Sequence, residues 1–221
     1  MISFGILILL AVVILGTSFR RVPGLGVIAA LVIIGLTIWL KGDGLRSLGF
    51  AAPDNWGTTI LWSLILGILI QLASTLVLEP FADKVTNSST DHSAFEGMRG
   101  NLRSFLLLLL TVWILVVFVE EIIFRGFMMG EIAKLIGTSS VALLANVLIT
   151  SVLFGLAHWY QGRSGALSTG IIGALLAILF IISGFNLWLP ILTHGFIDTV
   201  GLFLIYANAD KHLKDRVKLF A

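Results

Sequence analysis

The sequence predicts an all-α fold, a polytopic membrane helical bundle of about seven transmembrane helices, and three observations carry that reading. The 221 residues are 58% hydrophobic and only 12% charged, with a mean hydropathy of +1.06. Soluble domains carry about 25% charged residues, so this chain cannot build a water-facing surface. Its apolar residues fall in runs long enough to cross a bilayer, which takes roughly 20 residues of helix. Those runs are continuous and do not alternate, which argues against a transmembrane β-barrel. A formal net charge of +2, without a basic tract interleaved with aromatics, gives no sign of nucleic acid as a partner. With no cysteine, disulfides and thiolate chemistry are excluded too.

Seven segments meet the length rule: 2–19, 22–40, 57–78, 104–127, 139–158, 166–184 and 186–207. The first has its arginines, Arg20 and Arg21, after the apolar core, so it reads as a retained helix and not as a removable signal peptide. The RRVPG stretch then turns the chain into the second segment. Residues 41–56 mix Gly, charge and Leu/Phe, which suits a short interfacial piece with Trp56 at the headgroup level. The polar stretch 79–103 reads as a loop with one amphipathic turn, and His92 in it as a solvated residue. IGTSS, 136–140, turns the fourth segment into the fifth. Gly126 and Gly130 form a close helix-packing face, and Gln71 and Asn146 suit interhelical hydrogen bonds. The tail KHLKDRVKLFA is basic and amphipathic, fit to lie at the membrane surface, with His212 solvated in it.

Formal charge inside the spans is confined to Glu120, Glu121 and Arg125 in the fourth and Asp198 in the seventh. Each would cost about 2.5–3.5 kcal/mol at the bilayer centre on the mildest scale. Such residues must be paired, protonated or facing water. Glu121 and Arg125 stand at i and i+4 in the favourable order for an ion pair. Glu120 points about 100° away around the helix and has no local partner. His194 and Asp198 also stand at i and i+4, on one face of the seventh segment. The hairpin through 136–140 returns His158 to the depth of Glu120. These spacings predict a buried cluster of Glu120, His158, His194 and Asp198, backed by Glu121–Arg125.

The stretches EEIIFR (120–125), FGLAH (154–158) and HGFID (194–198) resemble the EExxxR, FxxxH and Hxxx(N/D) motifs of one family. It is that of the CAAX-protease and bacteriocin-processing membrane proteases, also called CPBP or Abi, which contains the type II CAAX prenyl endopeptidases. LGF, 48–50, resembles a juxtamembrane feature of that family. The resemblance implies peptide-bond hydrolysis in or near the membrane. Glu120 would be the general base, His158 would hold the attacking water, and His194 with Asp198 would stabilise the oxyanion. Glu121 and Arg125 would keep the fourth helix in place. A desolvated carboxylate suits base work near neutrality, and preset donors at an oxyanion are usually the largest catalytic term. Members have also been classed as metalloproteases, in which case His158, His194 and a carboxylate would form a zinc set. The histidines lack HExxH-like spacing, which favours a metal-free glutamate mechanism. Many members carry Asn where this chain has Asp198. Asn donates a hydrogen bond and ionised Asp does not, so Asp198 must be protonated, orient His194 or bind metal.

On this reading residues 1–103 are N-terminal transmembrane helices and loops, 104–207 the catalytic helical core, and 208–221 the tail. The expected partners are the lipid bilayer and a peptide or membrane-protein substrate, either a prenylated CAAX-type protein or a leader peptide. The expected location is the plasma (inner) membrane of a prokaryote. Two other classes use such residues: a proton-coupled transporter, and a non-catalytic membrane scaffold or immunity protein. Against the transporter, the polar residues form one cluster with no relay across the spans and no pair of broken helices. Positive residues gather on the side that holds the C-terminus, so the positive-inside rule places that side in the cytoplasm. The resemblance implies a cavity open to the cytosol, yet His194 lies eight residues from the less basic end of its span. These two expectations point opposite ways.

Overall fold

The computed structural model describes residues 2–20, 22–210 and 213. Among them the regular structure is helical, in seven rods. These are α1 (Ile2–Phe19), α2 (Pro23–Lys41), α3 (Trp56–Thr86), α4 (Leu102–Ile136), α5 (Ser140–Ala157), α6 (Gly162–Ile182) and α7 (Trp188–Tyr206). The rods α2 to α7 are long and apolar enough to cross a membrane, and α1 is a shorter apolar helix. Leu107, Ile114 and Val152 stand more than half exposed on the outside, where a side chain of that kind belongs against hydrocarbon. The protein is an integral membrane protein. The expected basic tail and His212 lie outside the described residues.

Local chemistry sets the helix ends. Asn55, Asn101 and Ser139 cap α3, α4 and α5 by accepting from the backbone N–H three residues on, at 3.0, 3.1 and 3.3 Å. The expected loop at 79–103 is corrected in its first part, because α3 continues through Glu79–Thr86. Pro80 has no N–H to give an ordinary ladder, and a π turn, Ser74–Leu78, sits directly ahead of it to absorb the mismatch. The remainder is a connection with a 3₁₀ turn at Ser93–Met98. Gln71 corrects a second expectation: it donates to Thr75 in its own helix, 3.1 Å away. Asn146 does bridge helices, donating to the Met129 carbonyl at 2.9 Å.

Two close approaches position the site. At Gly155 of α5 a Cβ would run into the Ala166 carbonyl and stand 3.0 Å from Gly170 Cα, so α5 and α6 cross with backbones nearly touching. At Gly126 a Cβ would lie 2.8 Å from the Leu48 carbonyl, and this gap lets the 3₁₀ turn Leu45–Leu48 dock on α4. Gly130 faces open space, so the expected two-glycine face works at one of its residues. Helix α4 also carries two π stretches, Val112–Val116 and Ile122–Met129, on either side of Glu120.

Candidate active site

Helix α4 supplies Glu120, Glu121 and Arg125, the end of α5 supplies His158, and α7 supplies His194 and Asp198. All four residues of the predicted cluster come together. His158 Nε2 lies 3.7 Å from Glu120 Oε1, and His194 Nε2 lies 4.0 Å from Glu120 Oε2 and 3.6 Å from Asp198 Oδ2. Phe154 packs between the histidines, with ring centroids 4.7 Å from His158 and 6.1 Å from His194.

The unreactive sides of both imidazoles are pinned. His158 Nδ1 meets the Phe154 carbonyl at 2.8 Å, and a carbonyl oxygen can only accept. His194 Nδ1 meets Glu121 Oε1 at 2.8 Å. Both Nδ1 atoms therefore donate, and both Nε2 atoms turn toward Glu120. Sequence reasoning missed the contact from Glu121. It read Glu121 as the partner of Arg125 alone, and no spacing rule links two residues so far apart in the chain.

Arg125 and Glu121 form the layer behind. Both are essentially fully buried, with Arg125 donating to Glu121 at 2.9 Å and to the Gly173 carbonyl of α6 at 2.9 Å. The guanidinium lies 4.4 Å from the Phe154 ring centroid, a cation–π contact. Arg125 thus ties α4 to α5 and α6 together.

Glu120 Oε2 is buried without a protein hydrogen-bond partner, at the inner end of a cavity of about 280 Å³. The cavity runs along the second half of α3, the first halves of α4 and α6, and the second half of α7. It reaches the side where the 87–101 connection, Tyr160 and Asp210 lie. His92 lines it and faces Glu79 at 3.4 Å, so the expected solvated histidine belongs to the cavity wall. At the rim Arg99 makes a two-pronged bond to Asp210, both contacts 2.8 Å. Those hydrogen bonds hold the Arg99 pKa above its ordinary value, so this cation persists at any working pH. Among the described residues no group of three or more His, Cys, Asp or Glu is placed to hold one metal ion.

The fold and cluster define a polytopic membrane bundle with a carboxylate–imidazole site at the base of a cavity. Residues 102–200 match the family model described as Type II CAAX prenyl endopeptidase Rce1-like, in agreement with the resemblance carried by the three motifs. No curated protein and no solved structure matches the chain.

Proposed function

We propose that the protein is an intramembrane endopeptidase that hydrolyses a peptide bond of a membrane-associated substrate. Its substrate class is a prenylated CAAX-type protein or a leader peptide, and its membrane the plasma membrane of a prokaryote. One observation carries the reading: Glu120, with a buried oxygen lacking a protein partner, faces the Nε2 atoms of two imidazoles at the base of a cavity. At 3.7 Å the Glu120–His158 separation is too long for a direct hydrogen bond, but a water can sit roughly 2.8 Å from both. A water that donates to both keeps its oxygen lone pairs and can present one to a substrate carbonyl. Glu120 takes the water proton as the oxygen attacks, then returns it to the leaving amine. His194, held by Glu121 and facing Asp198, donates from Nε2 to the oxyanion when protonated. This mechanism uses the chain's own groups and no metal.

The test compares membrane proteomes of cells carrying the wild type or Glu120→Gln. Gln removes the base and almost no volume, so new protein termini made by the wild type are expected to vanish while protein level and melting temperature hold. Termini that persist with purified, folded Glu120→Gln would sink the reading.

A further inference from the structure

An oxyanion is best held by two donors, and the four clustered residues offer one. Both Nδ1 protons are committed, to Phe154 and to Glu121. Glu120 and an ionised Asp198 can only accept. That leaves His194 Nε2. An Asn at 198 would add a second donor; Asp198 does not.

Tyr160 lines the cavity next to His158 and carries a donor the cluster lacks. It lies two residues beyond His158 in the 3₁₀ turn Trp159–Gln161, its ring centroid 5.8 Å from that of His158. It lines the same cavity as Glu120 and Asp198. Its hydroxyl is also oriented. Gln161 Nε2 donates to the Tyr160 oxygen at 3.2 Å, while Gln161 Oε1 accepts from Thr169 at 3.3 Å. That chain fixes which end of the amide faces Tyr160, occupies an acceptor site on the phenol, and leaves the phenolic proton to be donated elsewhere. Gln161 itself is held: its carbonyl accepts from Asp91 N–H at 2.9 Å, and its side chain packs where Gly165 has no Cβ.

We infer that Tyr160 is a catalytic residue of this site, donating a hydrogen bond to the tetrahedral oxyanion in place of the donor that Asp198 lacks. The inference rests on the hydrolytic reading above. As the water oxygen bonds to the carbonyl carbon, the C=O π pair moves to oxygen and one water proton moves to Glu120. Tyr160 keeps its proton throughout. When the C–N bond breaks, the pair returns from the oxyanion, Glu120 gives its proton to the amine nitrogen, and the products are an acid and an amine.

The experiment measures kcat and KM on an internally quenched, farnesylated CAAX-type peptide in detergent micelles, in a two-by-two set. The set comprises wild type, Tyr160→Phe, Asp198→Asn and the double variant. Tyr160→Phe is expected to lower kcat roughly 100-fold, the scale of losing one oxyanion donor, with little change in KM. In the Asp198→Asn background the same change is expected to cost roughly tenfold or less, because the amide supplies the missing donor. A packing role would lower kcat equally in both backgrounds. Equal loss, or full activity of Tyr160→Phe beside an active wild type, overturns the Tyr160 assignment alone. A folded wild type that leaves the peptide uncut overturns the hydrolytic reading for this substrate class, and the Tyr160 assignment with it.

Discussion

One carboxylate oxygen, Glu121 Oε1, receives both Arg125 at 2.9 Å and His194 at 2.8 Å. Its neighbour Glu120 faces the cavity instead, so two adjacent glutamates divide the labour of holding and, on the proposed mechanism, reacting. The division was half legible in the sequence. Charges in an apolar run announce themselves by their cost, and i,i+4 spacing pairs Glu121 with Arg125. The grip on His194 depends on how α7 packs, which no local pattern carries. Asp198 is where the mechanism can be put to the proof at this scale. Without a metal, Asp198→Asn is expected to raise kcat, since an amide donates at every pH. In a zinc enzyme the same change would cost about 10–100-fold in activity or metal affinity, and added zinc would partly restore it. Elemental analysis beside the assay decides: stoichiometric zinc that tracks activity would overturn the metal-free mechanism.

At the scale of elements, Arg125 is the bolt through α4, α5 and α6. Arg125→Ala removes its bonds to Glu121 and to the Gly173 carbonyl and leaves the 0% exposed Glu121 carboxylate with His194 but without its cation. Breaking a buried pair in this way costs about 3–5 kcal/mol. A clear drop in melting temperature and in the amount of folded protein is expected from thermal unfolding in detergent. An Arg125→Ala protein as stable as wild type but inactive would move Arg125 from support to chemistry. Span existence was plain from the apolar runs, and α1, α2 and α5 ended within a few residues of expectation. The end of α3 was not legible, because Pro80 and the polar residues after it read as a loop. Only the π turn ahead of Pro80, a tertiary accommodation, lets the helix continue. The same holds for Tyr160, since a tyrosine after a helix end carries no signature until the cavity around it is known.

For the molecule as a whole, the cavity settles a conflict between two expectations. His194 sits near the less basic end of α7, yet the cavity leads from it along the second half of that helix to the opposite side. That is the side of Arg20, Lys84, Arg99, Arg103 and Arg163. The positive-inside rule and a cytosol-facing cavity therefore ask for the same orientation. Distance from a helix end was the wrong guide, because a cavity's direction is set by which helices part.

Helices α3 and α4 have a meaning for where this protein can work. At 31 and 35 residues they are roughly 46 and 52 Å long, against a hydrocarbon layer of about 30 Å. The excess has to be taken up by tilt or by standing proud of the lipid, and α4 carries Glu120. Acyl-chain length then becomes a variable of the proposed hydrolysis. A thinner bilayer should lay α4 over and a thicker one raise it, shifting Glu120 against His158 and His194 on the neighbouring helices. Peptide cleavage by protein reconstituted in phosphatidylcholine vesicles of stepped chain length is expected to pass through an optimum. A flat response would mean that the bundle moves as one block and is blind to the thickness of its host membrane.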